Sequence, residues 1–411
     1  MTLPLTAPSQ DALRRKRSLR SLLVMLFLAV VAVLILLVRS RLRGPSDPEE
    51  FLSATAASSR SDVALVAYSV GPDGLPDTRD PVVMHNADLK LPVAAVARIP
   101  LLLAYAQAVA QGQAKVDEIV TIAAWERHHL TGADGGAHAV ALRAYGMRAD
   151  PQGFAVDPKH DVTLDNVVEA MVKHNDISAA DFVLARLGAA AAAESLRAAD
   201  LTLHDPILPT AGFFLAASAA DTEAGAKLVL ANGRDALAQT VADAAARFAQ
   251  EEAGTDGQRR WLDKHPTPGA GVQSLWADQA MTQGVARQYA KLMANVATGR
   301  WAGKDALQIV QRHLSWPMKL EGNDQLFSAF GSKGGTSVSI MTEAMYAVPK
   351  AGDFAGKTRV VIFLHRRMPS MRWFAVIRSF VHQQFLMKVA LDKAFAVKAQ
   401  QVLAGTPPTK Q

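Results

Sequence analysis

Three groups of polar residues in this 411-residue chain have the types and spacing to do chemistry. The first is Gly331-Ser-Lys-Gly-Gly-Thr. There the Lys333 ammonium can attract an anion, and Gly334 and Gly335 allow another backbone to approach closely. Thr336 and Ser337 could supplement that recognition. The second is His128-His129 with His138, three imidazoles that suggest metal ligation. Adjacent histidines point in different directions and no carboxylate sits at a helpful spacing, so no metal site is expected. The third is His365-Arg366-Arg367, which follows a strand pattern and could meet an anionic substrate or lipid, although a solvated strand end is the more common reading and the one expected here. The chain has 0 cysteines, which excludes disulfides, thiolate zinc sites and a Cys nucleophile. No cofactor is expected.

Upstream of these residues, Ser21 to Val38 reads SLLVMLFLAVVAVLILLV, without charge, Gly or Pro. At about 1.5 Å per residue this run spans most of a ~30 Å hydrocarbon core. Arg14, Arg15, Lys16, Arg17 and Arg20 precede it, against Arg39, Arg41 and Arg43 after it, which favours a cytoplasmic N-terminus. No small-residue cleavage site follows before the Arg-rich stretch, so an uncleaved anchor is expected rather than a signal peptide. The organisation expected is a basic cytoplasmic tail (1–20), a transmembrane helix (21–38), a linker (39–51), an exported domain (52–405) and a disordered tail (406–411). Such a protein is single-pass in the inner (cytoplasmic) membrane with its large domain periplasmic.

Charge limits the partners. The chain carries 44 Lys+Arg and 38 Asp+Glu, but removing residues 1–43 leaves 36 basic against 37 acidic residues. The exported part is near neutral, and the basicity belongs to the membrane flanks. Nucleic-acid binding, which needs a basic footprint on the folded domain, is not expected.

The elements that must position the polar groups follow from periodicity. Ala64 to Val70 and Val82 to His85 read as two strands joined by a Gly/Pro/Asp turn. A long apolar helix runs from about Pro92 to Ala110, with Pro100 forcing a kink or a late start. Thr163 to Val172 reads as a capped amphipathic helix, and Ser178 to Leu187 as another. Ala-rich helices occupy 219–249. Strands return at Leu326 to Ser332, Val338 to Val348 and Thr358 to His365, and a final helix covers Trp373 to Leu403, with Trp373, Phe374 and Phe380 packing it onto the sheet. Strands at both ends and a helical middle describe an α+β domain whose sheet is interrupted by a helical insertion.

In order and spacing, His85-Asn-Ala-Asp-Leu-Lys-Leu-Pro-Val-Ala-Ala-Val-Ala-Arg, Met171-Val-Lys-His-Asn-Asp-Ile and Gly331-Ser-Lys-Gly-Gly-Thr resemble the landmarks of the class A β-lactamase and penicillin-binding-protein superfamily of serine hydrolases. The resemblance covers about Ser61 to His365. It implies an antiparallel sheet flanked by N- and C-terminal helices plus an all-helical subdomain. It also implies a Ser nucleophile with a Lys one helical turn later, the S-x-x-K pair. Here the aligned tetrad is Ala95-Val96-Ala97-Arg98. Ala95 has no nucleophilic atom, Arg98 stays protonated, and no displaced Ser-x-x-Lys occurs in the chain. The S-D-N motif becomes Asn175-Asp176-Ile177, in which Asp176 occupies a mainly structural position and Ile177 offers nothing polar. The K-T-G motif becomes Lys333-Gly334-Gly335. The loop carrying the deacylating Glu cannot be placed, because a helical insertion of about 205–280 replaces it. Glu223, Glu251 and Glu252 there read as solvated helix faces.

No residue is assigned a catalytic role on this reading, and Asn175, Lys333, Gly335, Thr336 and Ser337 are the expected ligand contacts. Three functions stay open. One is a non-catalytic homologue that binds a cell-wall peptide, a β-lactam-like ligand or a protein partner. Another is a hydrolase of β-lactamase or D-Ala-D-Ala peptidase type using a non-standard nucleophile such as Thr336, Ser337 or Ser339. The third is a structural envelope scaffold.

Overall fold

The computed structural model describes residues 44–405 except 219–221, 252–253, 260, 265–266 and 302. The anchor expected at 21–38 and the tail at 406–411 lie outside the described residues. Among the described residues no helix is long and apolar enough to cross a membrane.

The fold is α+β, mostly helical, around one antiparallel five-stranded sheet. Its strands are β1 (Val63–Ser69), β2 (Val83–His85), β7 (Phe327–Ser337), β8 (Ile340–Pro349) and β9 (Arg359–His365), in the order β2-β1-β9-β8-β7. Two small ladders complete the strands: β3 (Lys90–Pro92) with β6 (Gln283–Val285), and β4 (Ile119–Thr121) with β5 (Asp161–Thr163). Every residue of β1 is buried. Alternation sends Val63, Leu65 and Ala67 into one core and Ala64, Val66 and Tyr68 into the other. A strand buried on both faces has no polar positions to alternate, which is why it reads as a continuous apolar run.

The N-terminal helix Pro48–Ser59 and the C-terminal helices cover one face of the sheet. Phe51 packs on Phe363 and Phe385 there, with centroids 6.0 and 5.2 Å away. Each such buried ring contributes roughly 1.5–3 kcal/mol. The other face meets a helical subdomain that includes Arg98–Ala110, Leu164–Lys173 and Ile177–Leu187. Leu164–Lys173 opens with a reciprocal capping box between Thr163 and Asn166.

Three expectations need correction. Pro48–Ser59 starts inside the span read as linker, because Asp47 accepts from Glu49 N and Glu50 N and Pro48 suits the first turn. The single C-terminal helix is three helices: Ser370–Ser379, Val381–Leu391 and Lys393–Ala404. They break at Phe380, which is left-handed at φ 53°, and at Asp392, which is extended and caps Phe395 N at 2.8 Å. Of the three aromatic residues expected to pack this segment inward, only Trp373 does. Phe374 and Phe380 are 47% and 57% exposed.

Candidate functional site

The site forms where two backbone turns and a strand meet. The first follows β3. A 3-10 turn, Ala94–Ala97, delivers the chain into the helix Arg98–Ala110, so the helix starts late. Pro100 is its third residue, where an N–H would find no intrahelical acceptor. Ala94 is left-handed at φ 44°, an uncommon state for a residue with a Cβ. Thr342 Oγ1 on β8 fixes the approach by donating to Val93 O at 3.0 Å.

The second turn is Asn175-Asp176. Asn175 takes φ 60°, which Asn tolerates, and Asp176 caps the helix Ile177–Leu187 through Ala179 N at 3.1 Å. Asp176 is wholly buried and bonded to His138 Nδ1 at 2.7 Å. The other His138 nitrogen faces Glu126 Oε1 at 3.4 Å, and His129 stacks on the His138 ring with centroids 4.5 Å apart. Burial alone would lower the His138 pKa, but the Asp176 charge and the bonds to Asp176 and Glu126 override it and raise the value to about 10. His138 is therefore a buried cation that clamps Asp176. Among the described residues no His, Cys, Asp and Glu group could hold a metal ion.

The third element is β7, with Lys333, Gly334 and Gly335 opposite Ala344, Glu343 and Thr342 of β8. A Cβ at Gly335 would collide with the Ala95 backbone nitrogen. Only glycine lets the strand edge lie this close to the turn that carries Ala95.

The three elements converge. Lys333 Nζ donates to Asn175 Oδ1 and to Gly334 O, the latter at 2.9 Å. Arg98 Nη1 donates to Met171 O at 3.3 Å and reaches the same Asn175 oxygen at 3.5 Å, the long limit of a hydrogen bond. Burial, reinforced by the neighbouring Arg98 charge, pulls the Lys333 pKa well below the usual lysine range. Burial also lowers the Arg98 value, with the charges of Asp176, Asp181 and Asp134 opposing it. A guanidinium starts high enough to stay charged.

A cavity of about 380 Å³ opens at this junction, lined by Ala95, Arg98, Asn175, Ile177, Thr336 and Ser337 and otherwise mainly by apolar side chains. Lys333 and Gly335 stand behind this lining, with Lys333 only 1% exposed. Thr336 Oγ1 is engaged, accepting from Trp373 Nε1 at 2.9 Å and donating to Ile340 O at 3.0 Å. Ser337 Oγ has no hydrogen-bond partner among the described residues. Ser339 is buried and left-handed at φ 67°.

The insertion forms a wall of the cavity through Ile207, Leu208, Phe213, Phe214 and Trp261. Asp181 ties that wall down by accepting from Thr210 N and Ala211 N, both at 2.7 Å. Burial pushes the Asp181 carboxyl up to about 7 despite those bonds and the Arg98 charge. Glu223 and Glu251 are exposed and off the lining, and Glu252 lies outside the described residues. The run His365-Arg366-Arg367 is also elsewhere. His365 is buried, Arg366 pairs with Asp62 at 2.9 Å, and Arg367 with Asp278 at 2.8 Å.

Sequence reading missed Asp181, Glu126 and the pairing of His138 with Asp176. The only local signal was the capping position of Asp176, because these partners meet through packing alone.

Residues 49–312 match the beta-lactamase enzyme family. The fold is similar to several solved structures. A beta-lactamase from Sphaerobacter thermophilus DSM 20745 is 13% identical, with 87% of this chain and 97% of that one covered and a TM-score of 0.48. PBP-A is 12% identical over 84% of this chain and 97% of that one, with a TM-score of 0.47. Carbapenemase VCC-1 from Vibrio cholerae N14-02106 is 9% identical over 83% and 99%, with a TM-score of 0.48. No curated protein matches the chain.

Proposed function

The chain belongs to the beta-lactamase enzyme family, and from that premise we propose that it is a membrane-tethered, non-catalytic member that binds a ligand in the cavity beside Ala95. One observation carries the reading. Ala95 lines the cavity, at the position where the family resemblance calls for the nucleophilic serine, and it supplies only a methyl group. The residue one turn later is Arg98, a permanent cation that can bind an anion but cannot take a proton from a hydroxyl.

Recognition divides between two kinds of surface. Arg98 and Asn175 present polar atoms on the lining, while the apolar wall strengthens any charge pairing formed there. Lys333 acts from behind by holding Asn175 in place. The ligand classes that suit this site are a cell-wall stem peptide or a β-lactam-like carboxylate. The tether is the apolar run 21–38, which places the domain at the periplasmic face of the inner membrane.

The hydrolase alternative rests on Ser337, a hydroxyl on the cavity lining. It lacks a base within hydrogen-bond distance among the described residues, and a serine needs one to attack. The test is intact-mass measurement after incubation with penicillin, alongside a thermal melt. The mass is expected to stay unchanged while saturating ligand raises the melting temperature. An acyl adduct that disappears on Ser337→Ala would overturn the non-catalytic reading. The absence of any thermal shift with stem peptide or β-lactam would leave the scaffold reading in its place.

A further inference from the structure

The helix Ser370–Ser379 has two faces that do different things. Trp373 and Val376 point inward, and Trp373 and Ile377 line the cavity. Outward, Met371 and Phe374 are 57% and 47% exposed, and Phe380, which ends the helix, is 57% exposed. Met371 and Phe374 are three residues apart and share a helix face with Arg378. The exposed Met371–Phe374 face, on an otherwise near-neutral domain, calls for a partner.

The partner follows from where the chain enters the domain. A Cβ at Gly44 would collide with Ala375 Cβ, so the chain arrives beside the residue next to Phe374. Only 39–43 separate Gly44 from the apolar run 21–38, and those residues reach at most about 20 Å even when fully extended. If 21–38 spans the bilayer, this helix must lie near the headgroups. Arg39, Arg41 and Arg43 fall in the same zone, and with Arg378 they complement anionic lipid.

We propose that the Met371–Phe374 face docks on the surface of the membrane that anchors the chain, with the Phe374 ring at the boundary between headgroups and acyl chains. This rests on the tethered reading given above. Phe and Met on the apolar face of an interfacial helix bury at the boundary between headgroups and acyl chains, while basic residues stay at the polar level. Because the opposite face of the same helix lines the cavity, docking sets the cavity wall against the bilayer.

The chain has 0 cysteines, so single labels can be placed cleanly. Phe374→Cys and Met371→Cys variants of the full chain, carrying an environment-sensitive fluorophore, would be reconstituted into phosphatidylcholine–phosphatidylglycerol vesicles containing spin-labelled lipid. Ile119→Cys is the control, because Ile119 is 64% exposed on β4, in the subdomain across the sheet from Trp373. Loss of most of the fluorescence at 374 and 371, with the 119 label unaffected, is the expected result. A chain that floats with the vesicles while the 374 label behaves like the 119 label would overturn docking and leave the tether standing. A 374 label shielded from an aqueous quencher but not reached by lipid quencher would also overturn it, in favour of a protein partner. A chain that does not float with vesicles at all would remove the tethered reading and this inference together.

Discussion

Glu343 of β8 holds its carboxylate where a side chain at Gly334 of β7 would have to be. The two residues are paired across the ladder, and a Cβ at 334 would lie 2.5 Å from Glu343 Oε2. Ser332 Oγ donates to the other carboxylate oxygen. Burial pushes the Glu343 pKa up to about 7, with the Ser332 bond and the Lys333 charge opposing the rise. The glycine that stands in place of the threonine of the K-T-G motif is therefore the complement of a buried acid on the next strand.

Restoring the threonine should expose that dependence. Gly334→Thr is expected to cost about 1–3 kcal/mol through overpacking. Combined with Glu343→Ala the two costs should fall short of their sum by about 1 kcal/mol or more, since the clash vanishes with the carboxylate. Denaturant melts of the wild type, both single variants and the double variant give the cycle. Additive costs would show that Glu343 is not the obstacle at 334.

Asp181 should leave a pH signature. Its folded pKa of about 7 lies above the ~3.9 of a free Asp, so between those values the folded chain holds a proton the unfolded chain has released. Stability drawn from this group is therefore lost as pH rises from about 4 to about 7. Neutral histidines such as the half-buried His204 and the buried His365, pulled to about 4 by desolvation, act with the opposite sign in part of that range. The diagnostic quantity is the difference between wild type and Asp181→Asn. That difference should shift in favour of the variant as pH rises from about 4 to 7 and then level off. A difference that does not vary with pH would mean that Asp181 is ionised throughout.

His138 gives the mirror image. Its folded pKa of about 10 exceeds the ~6.5 of free His, so its contribution is complete below about 6.5 and disappears as pH rises through about 10. His138→Gln strips a buried carboxylate of its cation and should cost about 3–5 kcal/mol near neutral pH. The cost should shrink toward pH 10, as read by chemical denaturation across the range. A cost that stays constant with pH would indicate that packing, rather than the charge on His138, is what matters.

What the sequence disclosed, and what it hid, divides along the range of the forces involved. The late start of the helix at Arg98 was legible as one of two outcomes, the other being a kink, because Pro100 acts on its own turn. The cap at Thr163 was legible for the same reason, since its partner Asn166 is three residues away. The breaks at Phe380 and Asp392 were not. Phe380 gives no local turn signal, and its left-handed backbone is imposed by two helices that must each reach the sheet. The clamp on Asp176 was hidden because Glu126 and His138 lie 50 and 38 residues before it, and only packing brings them together. Gly334 was visible as a departure from a motif, but its reason sits on another strand.

Ala94 is the test of strain at the site. A left-handed residue with a Cβ costs roughly 1–2 kcal/mol, partly offset in glycine by the extra entropy lost on folding. Ala94→Gly should therefore stabilise the fold by a net ~0.5 kcal/mol, seen as a higher denaturation midpoint. An unchanged or lower midpoint would show that the turn carries no strain to relieve.

The last prediction asks whether only the nucleophile pair was lost. In Ala95→Ser with Arg98→Lys, the hydroxyl at 95 would project into the cavity that Ala95 now lines, with an amine one turn further on. That amine would be buried and close to Lys333, and both effects favour its neutral form, the form able to take the hydroxyl proton. Attack on a β-lactam carbonyl would then leave an acyl-enzyme. Among the described residues no Glu lines the cavity to activate a water for its release, so the adduct should persist. Intact-mass spectra after penicillin treatment should show the acyl mass in the double variant and not in Ala95→Ser alone, where Arg98 cannot accept the proton. A double variant that melts normally yet gains no mass would mean the cavity does not bring a β-lactam within reach of position 95. In that case the ligand bound beside Arg98 and Asn175 must be sought in another chemical class.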